Sequence, residues 1–221
     1  MTTYIVSFPH SGNHIVRALI EFMTKKETLG CAGNEHNDPP IASHLEMKDL
    51  LSNVCASTEF RKCHIFPKEG PEDKLIFIIR HPTEALCSRM RDYVPLEKIS
   101  NFDLKELRVK VQEEYEHLVQ GFQQWNRPKI LLKFEDLVYN NQSRSIIEKL
   151  GEFVGAPSLN IIECIKQWPK IQTVTKSILA RPGKSISSAT FYRDATSASH
   201  LIENSVPTFK CFTFLLDLYK F

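Results

Sequence analysis

The chain has 221 residues, 42% hydrophobic and 24% charged, an ordinary globular composition that excludes a disordered or fibrous protein. At about 1.5 times the usual domain length, it is expected to fold as one domain around one core. With 28 Lys plus Arg against 26 Asp plus Glu, the net charge is only +2. No long-range positive field is available for nucleic acid or an acidic membrane, so any polyanion must be met by locally placed groups.

The first element is the apolar run Tyr4 to Phe8, which reads as a strand. Pro9, His10, Ser11, Gly12 and Asn13 form a tight turn, after which Ile15, Val16, Leu19, Ile20 and Met23 fall on one helical face. Leu29 to Ser43 has a loop composition, with Gly30, Gly33, Pro39 and Pro40. The strand, turn and helix order begins again at Leu75 to Ile79, a continuous run that suits a strand covered on both faces. Arg80, His81 and Pro82 end it, and Pro82 or Thr83 opens a helix through about Met90. Beyond Asp103, residues Leu104, Leu107, Val111, Tyr115, Leu118, Phe122 and Trp125 share one stripe of a long helix. Ile130 to Phe134 is a third strand closed by the polar pair Glu135 and Asp136. Ser143 to Val154 is a helix stopped by Gly155 and Pro157. Ile178 to Ser199 has no periodicity, and Pro207 to Tyr219 is expected to dock against the sheet. Strands alternating with helices imply right-handed crossovers. The expected fold is therefore a single α/β domain over residues 1–221, a central parallel sheet flanked by helices in three layers.

Six cysteines, at 31, 55, 63, 87, 164 and 211, form no C-x-x-C pair and are expected to be thiols in a reducing compartment, several serving as small core residues. Cys31, His36, His44 and Cys63 match no zinc spacing, so no metal is expected. Met1 to Phe8 lacks a basic segment leading into an apolar one, and no apolar stretch approaches the ~18 residues of a membrane span. A cytoplasmic protein is expected.

In open parallel sheets, ligands bind beyond the carboxyl ends of the strands. There, Ser11, Gly12, Asn13 and His14 lead into a helix N-terminus, whose free N–H groups favour phosphate or sulfate. A plain turn with a Ser or Asn cap would have the same sequence. The segment is not G-x-x-x-x-G-K-[ST], which disfavours an ordinary ATP or GTP loop. Arg80 and, eight residues later, Ser88 supply a guanidinium fork and a hydroxyl for a second phosphate, although a surface Arg and a helix Ser fit equally well.

Taken together, these segments resemble the sulfotransferase family that uses 3′-phosphoadenosine 5′-phosphosulfate (PAPS), a family with a P-loop-like fold. Ser7-Phe-Pro-His-Ser-Gly-Asn-His14 is similar to its 5′-phosphosulfate loop, S/T-Y/F-P-K/R-S-G-T/N-T/H. Ile76 through Ser88 is similar to its 3′-phosphate segment, and Arg61-Lys-Cys-His-Ile-Phe-Pro67 to the K-T-H-L-P segment that carries its catalytic His. Leu132-Lys-Phe-Glu-Asp-Leu137 is similar to Y-E-D-L, Glu152-Phe-Val-Gly155 to the F-L-G helix end, and Arg181-Pro-Gly-Lys184 to the R-K-G motif. The matches are collinear from residue 4 to about 184. The resemblance implies a metal-free sulfuryl transfer from PAPS, releasing 3′-phosphoadenosine 5′-phosphate (PAP), to a hydroxyl or amine of a small-molecule, lipid or carbohydrate acceptor. Nucleic acid is not an expected partner, and the protein would be a monomer or homodimer. It assigns His64 as general base and Lys62 and His10 as charge-stabilising catalytic groups. His10, Ser11, Gly12, Asn13, His14, Arg80, Ser88, Arg181, Gly183 and Lys184 would bind the donor. His44 and Glu59 are reserve bases, and Phe134 and Tyr192 are candidates for stacking on adenine.

The chain departs from the family at His10, which replaces a Lys or Arg, at Ile15, where many eukaryotic members have Trp, and at Pro182, which replaces the middle Lys of R-K-G. The alternatives are a nucleotide or small-molecule kinase and a catalytically silent protein that binds a nucleotide bisphosphate. If both histidines act, His10 must be charged while His64 is neutral, and turnover should follow a narrow bell against pH. A flat rate between about pH 6 and 8 would show that the two do not work as a pair.

Overall fold

The computed structural model describes residues 1–9, 11–30, 39–81, 85, 104–139 and 141–179. They build β1 (Thr3–Ser7), α1 (Asn13–Thr24), β2 (Lys26–Gly30), short 3-10 turns at Ile41–Ser43 and Leu45–Met47, β3 (Cys55–Cys63) and β4 (Lys74–Ile79). There follow α2 (Leu104–Gln124), β5 (Lys129–Lys133), α3 (Phe134–Val138), α4 (Ser143–Phe153) and α5 (Ser158–Leu179). The strands form one five-stranded sheet in the order β2-β3-β1-β4-β5, and every pairing is parallel. This is the α/β architecture expected from the sequence.

Residue alternation along the strands divides the core into two layers. Ile5, Ile76 and Ile78 point to one face and pack with α1, α4 and α5 through Leu19, Ile147 and Trp168. Val6, Leu75, Phe77 and Ile79 point to the other, against Tyr115, Leu118 and Val119 of α2. β4 is buried at five of its six positions, as its unbroken apolar run requires. α4 ends where Gly155 turns to φ +69°, a left-handed conformation that glycine adopts without cost.

Several elements differ from the sequence expectation. Leu29 and Gly30 end β2, and residues 41–43 form a 3-10 turn, so the expected loop is partly structured. β3 has an apolar-poor sequence in which Phe60 and Cys63 alone are buried, and no strand was expected there. α5 runs 22 residues through Pro169, a residue that ordinarily marks a helix end, and takes in Ile178 and Leu179. Phe134 opens α3 instead of closing the third strand, and Glu135 and Asp136 lie in its first turn. The expected helix from Pro82 to Met90, apart from Ala85, and the run Pro207 to Tyr219 lie outside the described residues.

The apolar face of α1 contains two fully buried charges, Arg17 and Glu21. Glu21 Oε1 accepts from Thr28 N, Thr28 Oγ1 and Ile41 N, and its Oε2 from Ala42 N at 2.7 Å. Arg17 donates from Nε to Thr28 Oγ1 at 2.8 Å and from Nη2 to Thr28 O and Pro39 O. Charged side chains so deeply buried persist because both oxygens of Glu21, and Nε and Nη2 of Arg17, find partners. It fastens α1 to β2 and to the chain after residue 38.

The cysteines correct a further expectation. Cys55 and Cys164 are free thiols, but Cys63 is disulfide-bonded. The cytoplasmic expectation thus loses its support from six reduced thiols. Among the described residues no helix is long and apolar enough to cross a membrane.

Burial pushes the Cys164 thiol up to about 12, and it pushes the Tyr115 phenol well above its usual range, with Glu135 adding to the shift. Both groups ionise more readily in the unfolded chain. Their contribution to stability is complete below the unfolded thiol's pKa and is lost as pH rises through the folded values. The melting temperature should fall between about pH 9 and 12, and less steeply in Cys164→Ala. Identical slopes in the two proteins would contradict the buried-thiol assignment.

Candidate functional site

An all-parallel sheet brings the carboxyl ends of its strands to one edge. The registers pairing Val6 with Cys63, Ser7 with Ile78 and Ile79 with Lys133 set the ends of β3, β1, β4 and β5 side by side. Lys62, His64, Ser11, Gly12, Asn13, His14 and Arg80 therefore occur on strand ends and turns of the same edge.

The turn after β1 is tight. Ser11 N–H bonds to Phe8 O, and Gly12 then adopts φ +93° as the N-cap of α1. A β-carbon on Gly12 would lie 2.3 Å from Phe134 Cδ2, so both the backbone and the available space require glycine. Gly12 has no side chain with which to cap the helix. Its first-turn N–H groups and positive end are thus offered to an anion. Within the turn, Ser11 Oγ is fully buried and has no hydrogen-bond partner. A buried hydroxyl left unpaired costs ~1–3 kcal/mol unless a ligand satisfies it. A phosphate or sulfate oxygen would, so the residues present fit an anionic group.

Asn13 is 5% exposed and donates from Nδ2 to Ser7 Oγ at 2.8 Å, while its Oδ1 has no partner. Its amide donates to the end of β1. His14 is half-buried on the next position.

His64, just beyond β3, is half-buried and has Nδ1 2.9 Å from Ser7 O. A carbonyl only accepts, so Nδ1 carries a proton, and in the neutral form of the ring the lone pair belongs to Nε2. This is the tautomer a general base needs. Lys62 is half-buried two residues earlier, and Ile65, next along the chain, is 70% exposed.

Arg80 is 5% exposed at the end of β4, with its guanidinium 5.2 Å from the centre of the Phe134 ring. Two interactions hold the backbone around it. Tyr115 Oη donates to Arg80 O at 3.0 Å, and His81 N–H donates to Glu135 Oε1 at 2.8 Å. The second oxygen of Glu135 is buried without a partner. Tyr115 and Glu135 were legible only as a helix stripe and a polar turn. What marked them was their position, one against a strand end and the other just after one.

Other expected residues are placed differently. Phe134 is 2% exposed, enclosed by Gly12, Arg80 and Tyr139, and presents no open face to an adenine. Glu59 is bound to Lys26 Nζ within the β2–β3 pair, five residues before His64 and about 16 Å away along an extended chain. It does not serve as a reserve base. Phe60 is fully buried, and Phe66 packs on Phe77 and Trp125. His10, Ser88, Arg181, Gly183, Lys184 and Tyr192 lie outside the described residues. Among the described residues no three His, Cys, Asp or Glu side chains gather as a metal set.

No protein-family model matches the chain, and no curated protein does. Among solved structures, it is similar to the mouse sulfotransferase SULT7A1 complexed with PAP, at 14% identity and a TM-score of 0.47. The match covers 82% of this chain and 66% of that one, so this chain spans just under two thirds of that protein.

Gly12→Ala should destabilise the fold by about 2–4 kcal/mol, because the methyl group meets both an unfavourable φ and the Phe134 ring. Denaturant unfolding measures this, and a loss below about 0.5 kcal/mol would contradict the packing described.

Proposed function

We propose that the protein is a PAPS-dependent sulfotransferase. The observation that carries the proposal is the bond from His64 Nδ1–H to Ser7 O, which fixes a basic nitrogen on the strand that leads into an uncapped helix N-terminus. In this reading the 5′-phosphosulfate rests on the N–H groups and Ser11 hydroxyl of the turn, and Arg80 meets the 3′-phosphate. Ser88, Arg181, Gly183 and Lys184 complete that site. The acceptor oxygen attacks sulfur in line with the bond to the 5′-phosphate oxygen. As that bond breaks, the acceptor's proton passes to His64 Nε2 and the bisphosphate departs with the electron pair. Positioning and charge stabilisation supply most of the rate in such group transfers. Lys62 and a protonated His10 balance the charge that builds up on the sulfuryl and bridging oxygens.

The acceptor is a hydroxyl- or amine-bearing small molecule, lipid or carbohydrate, and the exposed Ile65 beside the base supports one with an apolar part. The whole chain, residues 1–221, is read as one domain that works in the cytoplasm without a metal.

Thermal shift with PAP, ATP-Mg and GTP-Mg tests the assignment. Stabilisation by PAP alone is expected, and at a hundred times Kd it amounts to about 2.7 kcal/mol. Stabilisation by ATP-Mg alone would overturn the reading in favour of a kinase. His64→Ala should keep PAP binding and lose about 10²–10⁴-fold in transfer. An unchanged rate would remove His64 as base, and a wild-type protein that binds PAP but transfers nothing would be a silent binder.

A further inference from the structure

Ser7 touches both halves of the site. It is the last residue of β1 and is fully buried. Its carbonyl accepts from His64, and its hydroxyl accepts from the amide of Asn13, the first residue of α1. A hydroxyl at such a position is costly unless it is used.

The Asn13 amide faces Ser7 with its donor end, leaving its acceptor, Oδ1, buried and unpaired in the first turn of α1. That orientation is unfavourable for an anion at the start of α1, because an unpaired carbonyl oxygen there opposes negative charge while an amide N–H is committed to Ser7. A hydroxyl donates as well as accepts. The same heavy atoms therefore allow a second arrangement in which the amide is turned over. Ser7 O–H then donates to Asn13 Oδ1, and the NH₂ group takes the place that Oδ1 occupied. The number of Ser7–Asn13 bonds is one in both arrangements. They differ in what they offer a ligand, and an anion binds better to the arrangement that offers it a donor.

We propose that Ser7 is a positioning residue, a pivot that accepts from the Asn13 amide when the cradle is empty and donates to it when an anion is bound. Throughout, its carbonyl holds His64 in the tautomer with the lone pair on Nε2. Filling the cradle thereby completes the donor set without disturbing the base. The unpaired Ser11 Oγ in the same turn is the second group that an anion satisfies. This inference rests on the function proposed above for the identity of the anion, but not for the switch itself.

Inorganic pyrophosphate and PAP, each added to the full ¹⁵N-labelled protein, separate the two ideas. The Asn13 side-chain NH₂ resonances should shift on saturation with either anion, while the His64 imidazole nitrogens keep the pattern of a protonated Nδ1. Ser7→Ala removes the pivot and should abolish the anion-induced shift of the Asn13 NH₂ group, while Ser7→Thr, which keeps the oxygen, should restore it. If pyrophosphate produces the shift and PAP does not bind, the switch stands and the sulfotransferase assignment falls. If PAP binds and the Asn13 resonances do not move, the switch is overturned and the assignment stands. Failure of both anions to bind overturns the switch as well. A shift of equal size in Ser7→Ala would show that Asn13 responds without Ser7, which also overturns it.

Discussion

The carboxylate of Glu21 is inaccessible to solvent, and the arrangement of the amino-terminal half depends on it. Burying a carboxylate costs several kcal/mol, which is recovered only when its oxygens are fully hydrogen-bonded. Here three backbone N–H groups and one hydroxyl supply those bonds, from β2 and from the chain that returns after it. Arg17, one helical turn earlier, binds the carbonyls of the same two segments. α1 is thus held by directional bonds as well as by its apolar stripe, so its rotation about its own axis is fixed. A helix free to roll would carry the N–H groups of its first turn out of line with the strand ends.

A second set of contacts fixes that helix end from the other side. Gly12 lies against Phe134, the guanidinium of Arg80 lies over the same ring, and Tyr115 and Glu135 hold the backbone on either side of the Arg80–His81 bond. One aromatic ring therefore separates and spaces the two cationic ends of the site, the helix terminus and the guanidinium. The low net charge of the chain is consistent with this. Two well-placed groups beside a low-dielectric ring act on an anion more strongly than a larger number of solvated lysines would.

The parts of this structure that could be read from sequence share a feature. β1, β4, α1 and α4 announce themselves through residues that are apolar for a single reason, burial on a sheet or helix face. β3 could not be read in this way, because the sequence Cys55 to Cys63 is largely polar and half-exposed although the strand lies between two others. α5 was obscured by Pro169, whose missing N–H costs one backbone bond in a helix long enough to bear the loss. The site was legible where a motif names side chains, as at Ser11, Gly12 and His64. Where a residue acts through its surroundings, the one-letter code is silent. Phe134 looked like a surface for adenine and is a spacer, and Glu59 looked like a base and is half of an ion pair. Ser7 was visible as a letter in a motif and not as the point where two hydrogen bonds meet.

The sheet order bears on how the chain reaches this state. β1 precedes in sequence every strand it pairs with, yet it occupies the centre of the sheet, and its partners at Phe60 to Cys63 and Lys74 to Ile78 lie much further along the chain. No two strands consecutive in sequence form a hairpin, so every pairing must close a long loop, a topology that folds slowly. The partners of Glu21 and Arg17, by contrast, lie between Thr28 and Ala42. The polar staple therefore closes shorter loops than any pairing of β1 does. Contacts of such short range favour the early placement of α1, whose apolar face covers one side of β1.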